Sequence, residues 1–344
     1  PHQMSGGMRQ RTMIAAALIA EPDLLIADEP TTALDVTVQS QVLEMLEDIR
    51  DNTALLLITH DLGFVAGHCE HTIVLEHGRF VETGPTTSLF AAPRHEHTRR
   101  LLRAAPRVDR GAPPQPVSSR QLLSASDIAV EYDGLRAVDS VSFSVRRGET
   151  VAIVGESGSG KSSLVRAVLG LVPQGGGRIV YARESLQGPV EQRAMSVRRD
   201  LQLVYQDPTS ALNPQMRVQA IVEEPLVVHE PTLGRADRRE RVVAILQRVG
   251  LAEKHLRRYP HELSGGQAQR VAIARALVLE PTVLVCDEAV AALDGSVREQ
   301  VLEMLREVQR ETGLSIIFIS HDLAVVRSLS HRVLVMYLGR LVEL

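Results

Sequence analysis

Residues Gly155-Glu156-Ser157-Gly158-Ser159-Gly160-Lys161-Ser162 pack three glycines, a lysine and hydroxyls into one short stretch, with Ser163 next in line. Glycines let successive backbone N–H groups turn inward on an anion. The lysine ammonium can reach the outer phosphates of a nucleoside triphosphate, and the Ser162 hydroxyl suits a Mg2+ shell. A helix starting here points its positive end at the same anion. Such a loop needs a buried strand before it and a helix after it. The apolar run Thr150–Val154 and the segment 163–169 are expected to supply them.

Four further candidates follow apolar, strand-like runs. Asp287 and Glu288 end the run that starts at Val283. Asp287 can hold a Mg2+ shell, and Glu288 can orient or deprotonate a water in line with a terminal phosphate. Gln206 follows 201–205 and can sense both metal and water. His321 follows Ser315–Ile319 and can hydrogen-bond the terminal phosphate. Alone, the Asp287-Glu288 pair reads equally well as solvated loop residues, and a lone Gln206 or a single His321 reads more readily as a surface residue.

A repeat changes that balance. Laid without gaps, residues 4–50 and 263–309 are identical at 24 of 47 positions. The offset is 259, becoming 261 where Thr59-His60 meets Ser320-His321. The matches include Ser5-Gly6-Gly7 with Ser264-Gly265-Gly266, and Asp28-Glu29 with Asp287-Glu288. A shared helix pattern would match apolar character and not these polar positions, so a duplicated domain is expected. Ser5 and Ser264 suit helix N-caps. Capping does not call for two glycines, whereas close approach of backbone to a phosphate does. The first copy's phosphate-loop lysine would fall upstream of Pro1, so the chain reads as a fragment of a longer tandem protein. As an independent short chain, its apolar runs 24–27 and 54–58 would lack neighbouring strands and invite aggregation.

The 344 residues, 44% of them apolar, suffice for two or three domains with proper cores. A net charge of −4 argues against general nucleic-acid affinity. Two cysteines, Cys69 and Cys286, make neither a disulfide framework nor a four-ligand zinc site and fit a reducing cytosol. No apolar run approaches the ~18 residues of a membrane span. Residues 106–120 are rich in Pro, Gly and Ser and read as a linker between domains 1–105 and 121–344. In the second domain, strands are expected at 128–132, 141–145, Thr150–Val154, 201–205, 283–286 and Ser315–Ile319. Helices are expected at 269–279 and 297–311. Alternation of strands and helices implies a largely parallel sheet with helices on both faces.

The motif set, in this order, resembles the ATP-binding cassette (ABC) ATPases. The second copy carries Tyr132 as an aromatic A-loop residue, the phosphate loop, Gln206-Asp207-Pro208, the Ser264 signature, the Asp-Glu strand, Ala292-Leu293-Asp294 and Ser320-His321-Asp322. The first copy matches from the signature onward, with Ala33-Leu34-Asp35 and Thr59-His60-Asp61. The implied fold is α/β: a P-loop NTPase cassette with a mostly parallel core sheet and a helical signature subdomain, tandemly duplicated. Two features narrow the resemblance to the tandem ATPase of a dipeptide/oligopeptide-type importer. One is Val204-Tyr205-Gln206-Asp207-Pro208 followed by Leu212-Asn213-Pro214. The other is the segment Glu82-Thr83-Gly84, Leu89-Phe90, Pro93, His95, Thr98, Leu101-Leu102 and Ala105-Pro106. His97 stands where that extension usually has Tyr, and Ala289 replaces the Pro that the first copy keeps as Pro30. No cysteine cluster follows, so no iron–sulfur centre is inferred.

In this family ATP is sandwiched between one cassette's phosphate loop and the other's signature. The resemblance therefore implies one composite site built from Tyr132, residues 155–163, Gln206, Asp287, Glu288 and His321 with Ser5, Gly6, Gly7 and Asp35. Ser162, Gln206 and Asp287 would hold Mg2+, and Glu288, His321 and Gln206 would act on the terminal phosphate. A second site, lacking its phosphate loop here, would use Asp28, Glu29, His60, Ser264, Gly265, Gly266 and Asp294. The implied partners are two transmembrane permease subunits and, indirectly, an extracytoplasmic substrate-binding protein, with the ATPase on the cytoplasmic face of the membrane. Nickel or glutathione import is the alternative within the subfamily. A soluble ribosome-acting ABC factor would need a long charged linker, and a DNA-repair relative zinc-ligand cysteines or a coiled-coil insertion; neither appears. An export role stays open. His95-Glu96-His97 invites a metal reading, but a spacing of two does not put both rings on one helical face.

Overall fold

The structure is a computed structural model that describes residues 6–30, 36–49, 53–59, 62–104, 118–291, 293 and 295–344. Ser5, Asp35, His60 and Asp294, all expected at nucleotide sites, lie outside the described residues, as does most of the expected linker. Two compact units divide the chain: residues 1–107 with 294–299, and 108–293 with 300–344.

The first unit runs α1 (Gly6–Leu18), β1 (Leu24–Asp28), α2 (Val36–Ile49), β2 (Ala54–Ile58), α3 (Leu62–His68), β3 (His71–Glu76), β4 (Arg79–Pro85), α4 (Thr86–Ala91) and α5 (Glu96–Ala104). β1 and β2 pair in parallel with Leu24 opposite Ala54, and β3 and β4 form an antiparallel hairpin. A small core of Ile14, Leu25, Val42 and Leu46 joins α1, β1 and α2. The extension after β4 is tied back to it by Glu82, whose carboxylate accepts the backbone N–H groups of Arg94 at 2.8 Å and His95 at 3.0 Å. The nearby Thr98 hydroxyl, with those two N–H groups, pulls the Glu82 carboxyl down to about 2. The histidines of this segment face protein groups. His95 Nδ1 accepts the His97 backbone N–H at 3.2 Å, and His97 Nδ1 lies 3.1 Å from Glu76.

The second unit runs β5 (Gln121–Tyr132), β6 (Leu135–Arg146), β7 (Thr150–Val154), α6 (Lys161–Leu169), β8 (Gly176–Tyr181), β9 (Glu184–Leu186), α7 (Met195–Asp200), β10 (Leu201–Val204), α8 (Pro208–Ala211), α9 (Val218–His229), α10 (Arg235–Arg248), α11 (Gly265–Leu277), β11 (Val283–Asp287), α12 (Gly295–Thr312), β12 (Ser315–Ile319), α13 (Leu323–Leu329), β13 (Arg332–Tyr337) and β14 (Arg340–Glu343). Its main sheet has the order β10-β11-β12-β7-β13-β14, parallel except for the β13–β14 hairpin. β7, β11 and β12 are buried at every position. That is why they read as unbroken apolar runs rather than alternating ones. Register places Asp287 opposite Ile319, and Ile319 opposite Ile153. The carboxyl ends of the three strands therefore lie side by side, where ligands of open α/β sheets bind.

A second, antiparallel sheet (β6-β5-β8-β9) goes beyond the sequence expectation. The expected strands 128–132 and 141–145 are parts of two twelve-residue strands, joined at Asp133-Gly134. Both turn residues have positive φ, +47° and +81°, which lets a two-residue hairpin follow the strand twist. This sheet, α6 and the main sheet share one core containing Ile128, Val130, Val151, Leu164, Val168 and Val285. α9 packs on α10 and α11, forming the helical portion that carries the second signature.

The unit endings run in parallel. α1-β1-α2-β2-α3-β3-β4 matches α11-β11-α12-β12-α13-β13-β14 in order. The pairs Leu24–Ala54 and Val283–Ser315 occupy the same register once the offsets of 259 and 261 are applied.

Candidate nucleotide site

The loop 155–162 joins β7 to α6, as its glycine spacing demands. Gly155, Gly158 and Gly160 hold φ of +147°, +80° and +95°, conformations that side chains with a Cβ resist. A Cβ on Gly155 would collide with the carbonyl oxygen of Met336, and one on Gly160 with that of Ala137. Gly155→Ala is therefore expected to cost about 1–3 kcal/mol by overpacking. Thermal unfolding should come ~2–4 °C earlier per kcal/mol, and ATP affinity should fall with it. Calorimetry with and without ATP checks both.

Lys161 is buried at the first turn of α6. Its Nζ donates to the carbonyl oxygens of Gly155 at 2.8 Å and Glu156 at 2.7 Å. It also lies 3.4 Å from Ser159 Oγ. The loop thus wraps its own ammonium. Ser157 and Glu156 form the exposed crest of the loop, and Ser163 continues the first turn of α6.

Ser162 Oγ donates to Asp287 Oδ1 at 2.8 Å, across 125 residues of sequence. Asp287 is 1% exposed, and burial pushes its carboxyl above the usual range, opposed by Ser162 and by the guanidinium of Arg166. Arg166 lies 3.7 Å away. Sequence reading missed it, although Ser162 and Arg166 are four apart and share a helix face. A buried carboxyl beside a hydroxyl calls for a cation, and Mg2+ takes hard oxygen donors. Ser162, Asp287 and the side-chain carbonyl of Gln206 fit that ion. Bound there with a nucleotide, it would neutralise phosphate charge.

Glu288 adopts φ +49°, and its backbone N–H donates to Ile319 at 3.1 Å. Strained backbone of this kind concentrates at functional sites. Gln206 Nε2 donates to Glu288 Oε2 at 2.7 Å. His321 Nδ1 stands 3.9 Å from the same oxygen. It holds the Glu288 carboxyl below the usual range, against the opposing effect of burial. Asp322, next to His321, caps α13 through the N–H groups of Ala324 and Val325. The three residues expected to act on the terminal phosphate are thus brought together.

Tyr132, 39% exposed, ends β5 at the hairpin tip, where a flat ring can take a base. Ser264 caps α11 in a reciprocal box with Gln267, so the capping role is real. Yet a Cβ on Gly265 would meet nothing within 4 Å. Glycine in a helix costs ~1 kcal/mol against alanine, and no internal contact here requires it; Gly266 follows it in the same turn. In the first unit Gly6 and Gly7 open α1 in the same way. Asp28 ends β1, and Glu29 repeats the left-handed conformation with φ +48°, its N–H donating to Ile58. A cavity of about 350 Å3 lies elsewhere, lined by Leu201, Tyr205, Pro225 and Arg275 among others. No residue of the loop 155–162 lines it.

The sequence profile of the ABC transporter family matches residues 1–32 and 138–291, more than half of the chain. The chain belongs to the ABC transporter family. All of it aligns at 44% identity with 61% of the glutathione import ATP-binding protein GsiA of Pectobacterium atrosepticum. All of it also aligns at 44% identity with 67% of the uncharacterised ABC transporter ATP-binding protein YejF of Escherichia coli K12. The chain therefore spans about three fifths of the length of the glutathione import relatives it matches. Among solved structures, CbiO1 of Clostridium perfringens, part of an ABC transporter complex, superposes with a TM-score of 0.59 at 33% identity, covering 65% of this chain and 88% of that one. The dimeric bacterial ABC cassette MJ0796 gives 0.59 at 27% identity, covering 64% and 97%. The fold is the ABC cassette form of the P-loop NTPase. No helix among the described residues is long and apolar enough to cross a membrane.

Proposed function

We propose that the chain is the ATP-hydrolysing part of an importer that takes up peptides of the dipeptide/oligopeptide class through a membrane permease. The observation that carries the catalytic half of this reading is the convergence of Lys161, Ser162–Asp287 and Gln206–Glu288–His321 at the carboxyl ends of neighbouring strands. Lys161 and the loop N–H groups hold the phosphates, and Tyr132 takes the adenine. Glu288, ionised beside His321, orients and deprotonates the attacking water. His321 steadies the terminal phosphate. The import half is supported by the relatives, two of which are named for glutathione import or as ABC transporter ATP-binding proteins. Glutathione is itself a tripeptide, so a glutathione importer is the second reading, favoured by those names. Nickel import has no such support.

The domain reading belongs to the same proposal. Residues 1–105 form the C-terminal part of one cassette, 106–120 a linker, and 121–344 a nearly complete second cassette. Matching element order and register in the two units support duplication. In such a tandem the signature glycines 6 and 7, with Ser5 and Asp35, would close the Lys161 site. Ser264, Gly265, Gly266 and Asp294 would close the other, together with Asp28, Glu29 and His60. Paired closure and reopening would drive the permease between its two facing states, from a peripheral position on the cytoplasmic side. Native mass spectrometry of the complex purified in detergent from its own cells tests this. Two membrane subunits bound to a polypeptide well above 37.7 kDa are expected. A chain isolated without membrane subunits would sink the transport reading.

A further inference from the structure

The phosphate loop leans on a turn that none of the motifs contains. Leu338 and Gly339 join β13 to β14, and Gly339 sits between the loop and β6. Its N–H donates to the carbonyl oxygen of Ser159 at 3.1 Å. Its own carbonyl oxygen accepts the N–H of Asp139, in β6, at 2.8 Å. A Cβ on Gly339 would lie 3.0 Å from the carbonyl oxygen of Ala137, so the backbones meet here with no room for a side chain.

A cluster of charges closes the same junction. Asp139 Oδ1 accepts from Arg136 Nη1 at 3.0 Å, and Oδ2 accepts from Arg340 Nε at 2.9 Å. Arg340 Nη2 lies 2.8 Å from Oδ2 as well. Arg340 first, and Arg136 with it, holds the Asp139 carboxyl below the usual range. Arg136 and Asp139 share β6, whereas Arg340 opens β14 directly after Gly339. The ion pair therefore ties β14 to β6 one residue away from the backbone bridge.

The consequence falls on the peptide between Ser159 and Gly160. A peptide unit is planar and trans, with its C=O and its N–H on opposite sides. Held by Gly339, the Ser159 carbonyl turns the Gly160 N–H away from the turn. Gly160 directly precedes Lys161, so this N–H is one of those that the loop offers to an anion. A donor free to swing has to be fixed when the ligand binds, and that ordering weakens affinity.

We propose that Asp139 is a positioning residue for nucleotide binding: with Arg340 it clamps the Leu338-Gly339 turn onto the phosphate loop and so aims the Gly160 N–H at a phosphate. The inference rests on the nucleotide reading of the loop and adds a residue that acts on it from outside. Asp139 works through Gly339 and Ser159, without touching the ligand.

Asp139→Ala and Arg340→Ala test the clamp in the full chain with Mg2+ present. Both should bind a non-hydrolysable ATP analogue about three- to fivefold more weakly than the parent. That is the upper part of what an exposed ion pair contributes, because one carboxylate here joins two guanidiniums. The number of sites per chain should stay at the parent's value. The double variant should be no weaker than either single one, since each breaks the same clamp. Inorganic tripolyphosphate, which carries no base, should lose affinity by the same factor when it competes with the analogue. Parent-like affinity in both variants would overturn the proposal. So would fewer sites at unchanged affinity, the mark of a folding defect. A loss for the ATP analogue with none for tripolyphosphate would overturn it too, assigning the cluster to the β5–β6 hairpin that carries Tyr132. Failure of the nucleotide reading itself looks different, because the parent chain and Lys161→Ala would then bind the analogue alike.

Discussion

Glu288→Gln is expected to bind ATP as the parent chain does and to lose ~10²–10⁴-fold in turnover, the range for removing a general base. The substitution keeps shape and an amide oxygen that Gln206 Nε2 can still reach, so the hydrogen bond at 2.7 Å has a ready replacement. What it removes is the negative charge that His321 stabilises and that a water proton requires. Binding and chemistry should therefore separate. Labelled ATP should stay on the variant intact, where the parent releases phosphate. Undiminished single-site hydrolysis would remove Glu288 from the catalytic role.

Lys161→Ala is expected to act earlier, on binding itself. Its ammonium is the cation at the centre of the loop, and its removal strands the carbonyl oxygens of Gly155 and Glu156. Losing a charge-assisted hydrogen bond costs about 1.5–3 kcal/mol, which is ~10–150-fold in affinity. A further ~10²–10³-fold loss in turnover is expected from the missing stabilisation of charge in the transition state. Titration calorimetry with a non-hydrolysable ATP analogue separates this variant from Glu288→Gln. Equal affinity in parent and Lys161→Ala would place the nucleotide elsewhere.

The parts of this fold that could be read in the sequence are those where one local pattern has one physical cause. β7, β11 and β12 are buried on both faces, so their apolar runs announce them. The loop 155–162 is legible because three positive-φ glycines and a lysine serve no ordinary turn. Asp287, Glu288 and His321 stand out at strand ends and through the repeat, whereas Gln206, and the assembly of all four at that loop, come from the resemblance to the ABC ATPases. The contacts themselves were not legible. Ser162 to Asp287 and Gln206 to Glu288 join residues 125 and 82 positions apart, which no local pattern encodes. β8 and β9 were missed because Gly176, Gly177 and Arg178 open a short strand with no apolar alternation until Ile179. α11 begins at Gly265 with Ser264 as its cap, as the Ser-Gly-Gly segment led one to expect, and Gln267 closes the box.

The first unit shows the limit of sequence reading in another way. Its strands were identified from the second unit by offset, and so was the chemistry of Asp28 and Glu29. The exposure of Leu24, Ile26 and Asp28 is visible only in the structure.

Uptake into vesicles is the most direct measurement of the central claim. The complex, isolated from its own membranes, is reconstituted with its substrate-binding protein, a labelled dipeptide is supplied, and ATP is placed on the cassette side. Accumulation that requires ATP on that side and stops in Glu288→Gln is expected. Accumulation that continues unchanged in Glu288→Gln, or proceeds without ATP, would contradict the assignment of Lys161, Asp287, Glu288 and His321 as the centre that powers import.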